Sequence, residues 1–182
     1  MINEKVGFIG GGNMARAIAG GLLRGGMPAT DIYLSEPRED QRDLLRKDLH
    51  GVQVTDDNQQ LASLCDVLLF AVKPQILRPV CTALADHVQD SRPLIVSIAA
   101  GPRIADIDSW LGGGLSVVRV MPNQPALIDQ GISALFANQR ASKQECSLAG
   151  DIMSAVGQIV WVKRENDIDS VTAVSGTGPA YF

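Results

Sequence analysis

The stretch VGFIGGGNMARAI, residues 6–18, sets three consecutive glycines between an apolar run and a segment with helical spacing. Val6, Phe8 and Ile9 are apolar and partly β-branched, so they read as a buried strand that begins almost at the first residue. Ala15, Ile18, Ala19, Leu22 and Leu23 recur at helical intervals, and Gly25 and Gly26 end that stripe. The glycines therefore lie at a strand-to-helix turn. Gly10, Gly12 and Ala15 form G-x-G-x-x-A. The first glycine makes the tight turn, the second lets a pyrophosphate approach the backbone, and the small third residue lets helix and strand pack closely. The N–H groups around Gly12 to Met14, at the positive end of the helix dipole, then meet phosphate oxygens. A dinucleotide is the expected ligand.

Strand-like runs recur down the chain as KVGFIG, DIYLS, VQV, DVLLFAV, PLIVSIA, LSVVRV, ISALFA and QIVWV. Helical spacing fills most of the intervals, as in Ile76, Val80, Leu84 and Val88, or Ile104, Ile107 and Leu111. Alternating strands and helices imply an α/β, Rossmann-type fold, a mainly parallel sheet covered on both faces. DVLLFAV and PLIVSIA are apolar throughout, as central strands buried on both sides should be. A later helix carries its own start signal, with Ser142 and Glu145 as a capping box and Cys146, Ala149, Met153 and Val156 as its buried face. Residues 1–162 are expected to form the dinucleotide-binding domain, and 163–182 to begin a helical substrate and dimerisation domain. A stop on Tyr181 and Phe182 directly after a Gly/Pro-broken turn is read as the sign of a truncated chain.

Charge and cysteine usage exclude several function classes. The 182 residues carry a formal charge of −4 and no basic stripe, which argues against nucleic acid as a partner. REDQRDLLRKD, residues 38–48, reads as a solvated helix face. Cys65, Cys81 and Cys146 are odd in number and widely spaced, so neither a disulfide framework nor a metal site is expected, and they read as reduced thiols. No apolar run approaches the roughly 18 residues of a membrane span, and MINEK leaves no room for a signal peptide before the first strand. The chain is expected to be cytoplasmic, without membrane or nucleic-acid partners.

The strand ends should build the rest of the site, because ligands of open parallel sheets gather beyond the carboxyl ends of the strands. After the second strand comes SEPRE. Glu36 suits a ribose 2′-hydroxyl, hence NAD, whereas Ser35 and Arg38 suit a 2′-phosphate, hence NADP, and both readings stay open. AVKP (71–74), SIAAG (97–101) and RVMPNQPA (119–126) supply the other walls. Ala99, Ala100 and Gly101 admit a flat ring, and Pro74 and Pro122 stiffen their loops. Asn123 is read either as a turn residue or as a ligand contact. No Ser/His/Asp or Cys/His arrangement emerges, and His50 and His87 fall on or near helix ends as structural residues. Without an acid/base set the chain fits chemistry supplied by a cofactor, hydride transfer above all.

VGFIGGGNMA, AVKPQ, VSIAAG, RVMPNQPA and DSVTAVSGTGPAYF, in this order, make the chain resemble pyrroline-5-carboxylate reductase over essentially its whole length. The resemblance implies reduction of the cyclic imine 1-pyrroline-5-carboxylate to L-proline with NADPH or NADH, the last step of proline biosynthesis. It implies cofactor contacts at Ile9, Gly10, Gly11, Gly12, Asn13, Met14, Glu36 and Asn58. Further contacts are implied at Ala71, Val72, Lys73, Pro74, Ile98, Ala99 and Ala100. Near the substrate it places Glu165 and the turn Ser175, Gly176, Thr177 and Gly178. It implies no metal, identifies no catalytic residue in this chain, and makes the full-length protein a homo-oligomer through the domain that follows. Gln124 stands where the family usually has Thr, and Thr177 where it usually has Ser. On this reading the 182 residues bind nucleotide but reduce the imine poorly. The competing readings are a related dehydrogenase of another small substrate, which would lack VTAVSGTGPAY, and a nucleotide-binding module without catalysis.

Overall fold

The computed structural model describes residues 2–173. Among these residues eight strands form one sheet: β1 Val6–Ile9, β2 Ile32–Ser35, β3 Gln53–Thr55, β4 Val67–Phe70, β5 Leu94–Ser97, β6 Val117–Met121, β7 Gly131–Ala137 and β8 Gly157–Trp161. Their spatial order is β3-β2-β1-β4-β5-β6-β7-β8. The first six follow the order 3-2-1-4-5-6 of a dinucleotide fold, all parallel. All eight strands expected from the sequence are present.

The sheet departs from parallel pairing once, where β7 runs antiparallel to β6 with Arg119 opposite Phe136. A parallel connection needs a crossover of about a dozen residues or more, and residues 122–130 offer only a short 3-10 turn, Gln124–Ile128. β8 then returns parallel to β7.

Among the described residues seven α-helices cover the sheet: α1 Asn13–Arg24, α2 Glu39–Asp48, α3 Asn58–Leu64, α4 Pro74–Ser91, α5 Ile104–Trp110, α6 Lys143–Ser154 and α7 Glu165–Val171. Two cores result. One joins Val6, Phe8, Leu34, Leu69 and Val96 to Ala15 and Ile18 of α1, Leu45 of α2 and Ile152 and Met153 of α6. On the other face Ile9, Leu68, Phe70 and Ile95 pack against Leu61 of α3, Leu77, Cys81, Leu84 and Val88 of α4, and Ile104 and Ile107 of α5. β4 and β5 are buried on both sides, which is why their sequences do not alternate.

Helix faces agree with the sequence pattern with small rotations. In α4 the buried stripe is Leu77, Cys81, Leu84 and Val88, and Ile76, which the spacing had placed on it, is half exposed. In α6 the Ser142–Glu145 capping box forms in both directions, and Ala149 and Met153 are buried while Cys146 is only partly so. α7 lies against β6 and β7. Among the described residues no helix is long and apolar enough to cross a membrane.

Candidate dinucleotide site

The three glycines after β1 owe their identity to three different neighbours. Gly10 has φ +102°, a conformation L side chains avoid, and a Cβ there would stand 3.0 Å from the Ala71 carbonyl oxygen. Its N–H donates to the Ser35 carbonyl at 2.8 Å, which extends the β1–β2 ladder into the turn. A Cβ on Gly11 would lie 2.5 Å from Cδ1 of Leu45 and 3.1 Å from Cβ of Glu36. These two glycines are therefore demanded by the protein itself.

Gly12 differs. Its φ is an ordinary −70°, and a Cβ built there would meet nothing within 4 Å. The fold gives no reason for glycine at this position, so the open side faces whatever comes from outside. Gly12 is also the N-cap of α1, with no capping side chain and no acidic residue in the first turn. The first N–H groups of a helix have no intrahelical acceptor, so they and the dipole are available to an anion. Ala15, fully buried, lets α1 lie close to the sheet.

Beside Gly12 opens a cleft of about 330 Å3, lined by Gly12, Asn13, Met14, Ala71, Val72, Lys73, Ile98, Met121 and Pro122. These residues sit at or just past the carboxyl ends of β1, β4, β5 and β6. The strand order reverses between β1 and β4, and such a reversal is where open α/β sheets bind ligands. Larger depressions, one outside α1 around Arg16 and Asp48, one beside Met27 and Asp151 and one on α4 around Arg78 and Thr82, lie away from the strand ends. In the first, Arg16 is already paired with Asp48 at 2.7 Å.

Of the residues expected at the cofactor, the cleft gathers Gly12, Asn13, Met14, Ala71, Val72, Lys73 and Ile98. Ile9 and Ala99 belong to the core beneath α4 and α5 and do not line the cleft. Pro74 begins α4. Asn58 begins α3 behind Asp57, whose carboxylate accepts from the N–H groups of Gln59 and Gln60, and it does not line the cleft. Ala100 is half-buried just past Ala99 and likewise outside the lining. Met121 and Pro122, from the RVMPNQPA stretch at the end of β6, join the wall.

Glu36 follows β2 and is held over the glycine turn. Its Oε2 accepts from the Gly11 N–H at 3.1 Å and its Oε1 from the Arg38 N–H at 3.2 Å. The alternative 2′-phosphate ligands are placed differently. The Ser35 side chain is 1% exposed, with its hydroxyl inside the core rather than toward a ligand. The Arg38 guanidinium is held by Asp40, which raises the Arg38 pKa and lowers that of the Asp40 carboxyl through the hydrogen bonds and charge they share. Asn123 acts as a turn residue, its Oδ1 accepting from the Ile132 N–H at 3.0 Å.

Glu165 stands at the first turn of α7, away from the cleft. Its Oε1 accepts from the Ile104 N–H at 2.7 Å, at the start of α5, and from Arg119 Nη1 at 3.3 Å. Arg119 is 1% exposed in the middle of β6, and its Nη2 reaches Asp169 at 2.7 Å and the Gly101 carbonyl at 3.4 Å. A single cation inside an apolar strand requires buried partners, and that is the signal that could have found this residue. Ser175, Gly176, Thr177 and Gly178 lie outside the described residues. Among those described, no group of three or more His, Cys, Asp and Glu side chains could hold a metal ion.

Residues 5–101 match the family described as NADP oxidoreductase coenzyme F420-dependent. A pyrroline-5-carboxylate reductase of Pseudomonas aeruginosa is 45% identical over 182 residues, all of this chain and 66% of the relative. Among solved structures, a pyrroline-5-carboxylate reductase of Coxiella burnetii matches with a TM-score of 0.94 at 39% identity, covering 99% of this chain and 66% of the other. A Plasmodium falciparum pyrroline carboxylate reductase solved with NADP bound matches with a TM-score of 0.86 at 30% identity, covering 100% and 65%. The chain spans about 66% of the length of the curated relative. It belongs to the pyrroline-5-carboxylate reductase family.

Proposed function

We propose that this family member serves the reduction of 1-pyrroline-5-carboxylate to L-proline with a reduced nicotinamide dinucleotide, and that residues 1–162 provide the dinucleotide half of the site. The observation that carries the reading is Gly12, a helix N-cap at ordinary φ whose open side faces the cleft at the strand-order reversal. When bound, the cofactor supplies a hydride to the imine carbon, while the ring nitrogen takes a proton and the C=N bond becomes single.

The residues of this chain bind and orient. N–H groups of the Gly12 to Met14 turn take the pyrophosphate, and Glu36 takes the adenosine ribose. Ala71, Val72, Ile98 and Met121 form an apolar wall that fits a flat ring and keeps water from it, with Lys73 at the rim. The same role extends to Ile9, Gly10, Gly11 and Ala99 through their backbone, and to Asn58, Pro74 and Ala100 at the neighbouring strand ends. Residues 163–182 begin the substrate and dimer half. There Glu165 fixes the base of α7, and substrate binding is assigned to Ser175, Gly176, Thr177 and Gly178. The whole protein is a cytoplasmic homo-oligomer.

Titrating the chain with NADH and NADPH, then following oxidation of either by a protein containing these residues with pyrroline-5-carboxylate present, tests the proposal. Binding together with imine-dependent oxidation supports it. Absence of binding, or oxidation with other small carbonyl substrates but not with this imine, overturns it.

A further inference from the structure

We infer that the ribose end of this site selects against a 2′-phosphate, so that the chain takes NADH in preference to NADPH, with Glu36 as the specificity-determining residue. The inference rests on the nucleotide-binding reading above and goes beyond it, since that reading accepts either cofactor.

The two N–H donors on Glu36, from Gly11 and Arg38, fix the carboxylate between the glycine turn and the loop after β2. A carboxylate has about four acceptor positions, so two donors leave room for more. A ribose hydroxyl can donate into that room. A phosphate ester near neutral pH carries about −1.5 to −2 charge and offers only acceptors, so it meets Glu36 with repulsion and no hydrogen bond.

Cations could reverse this, but those nearby already have acceptors. Arg38 Nε lies 3.1 Å from Asp40 Oδ1, and its Nη2 is bonded to the other carboxylate oxygen. Arg42 turns inward: its Nη1 donates to the carbonyls of Glu36 at 3.0 Å and Pro37 at 2.7 Å, and its Nη2 is 3.7 Å from Asp56. Arg46 pairs with Asp43 at 2.9 Å. Each arginine has a carboxylate partner of its own, so Glu36 adds its negative charge beside the glycine turn with no arginine side chain hydrogen-bonded to its carboxylate. The Ser35 hydroxyl, at the end of β2, is buried.

Calorimetric titration of the chain with NADH, NADPH, 5′-AMP and adenosine 2′,5′-bisphosphate tests the inference without turnover. NADH is expected to bind at least about tenfold more tightly than NADPH, with the same order for the two adenosine fragments. Glu36→Gln keeps an acceptor for Gly11 and removes the charge, and is expected to narrow the gap by strengthening NADPH. Asp40→Asn, an exposed change, frees Arg38 and is expected to narrow it independently. Equal affinities in the unaltered chain, tighter NADPH, or a ratio unmoved by both substitutions overturns the inference. Binding of neither dinucleotide overturns the parent reading and this one with it.

Discussion

The N–H of Gly11 donates to Oε2 of Glu36 at 3.1 Å, so the turn after β1 and the end of β2 hold one another in place. The contact is possible because Gly11 carries no side chain. A methyl there would enter the space of Leu45, which is fully buried and cannot retreat to solvent. Gly11→Ala is expected to destabilise the fold by about 1–3 kcal/mol, the usual cost of overpacking, as read by urea denaturation. Unchanged stability would mean that Leu45 and the turn relax freely.

A buried cation makes a second prediction. Arg119 reaches Glu165, Asp169 and the Gly101 carbonyl, and Glu165 also receives the Ile104 N–H. Glu165→Ala removes one of two carboxylates from a cation with no access to water and uncaps the start of α5. A loss of about 3 kcal/mol is expected. Asp169 is about half exposed, so Asp169→Asn is expected to cost clearly less in the same assay.

The start of α6 gives a pH dependence. Partial burial raises the Glu145 carboxyl, but hydrogen bonds from the Ser142 N–H and hydroxyl and from the Ser116 hydroxyl outweigh it and leave the group below its ordinary 4.5. A lowered carboxyl contributes stability above its unfolded value, and that contribution disappears as pH falls through the folded one. Ser142→Ala is expected to cost about 1 kcal/mol at neutral pH. The difference from the unaltered chain should shrink as pH drops below about 4.5.

Thiol chemistry gives the opposite sign. Burial pushes Cys65 and Cys81 from 9.0 up to about 12. Unfolded thiols ionise first, so this stability is whole below pH 9.0 and is lost between there and about pH 12. Cys81→Ala is expected to flatten that alkaline decline in urea unfolding. With a thiol reagent at about pH 8, Cys146, which is only partly buried, should react well before the other two.

Strand positions were the most legible part of the chain, because apolar runs such as DVLLFAV and PLIVSIA are bounded by loops and become β4 and β5. Helix faces were legible to within one residue. Steps of four from Ile76 drift around a helix of 3.6 residues per turn, so the buried stripe of α4 starts at Leu77 instead. The reversal at β7 had a signal in the short 122–130 connection, but strand pairing is a tertiary property that composition does not display.

In the site, the glycine turn was readable as a whole, whereas the division of labour within it was not. Gly10 answers to Ala71, Gly11 to Leu45 and Glu36, and Gly12 to no protein atom, and those neighbours come from distant strands. The different placements of Ser35 and Glu36 were not legible either, since Ser35 is buried and Glu36 only partly so, a difference set by tertiary packing. Arg119 was overlooked among valines because its partners lie on α7, about fifty residues later.

The central claim is that the open side of Gly12 belongs to a bound dinucleotide, and the affinity of Gly12→Val for NADH, measured beside its urea stability, tests it most directly. With no protein atom within 4 Å of the added Cβ and φ at −70°, the substitution should cost the fold no more than about 1 kcal/mol, that of a poorer N-cap. NADH affinity should fall at least about tenfold, since the side chain fills the approach to the helix N-terminus. A folded Gly12→Val protein that binds NADH as tightly as the unaltered chain would contradict the claim.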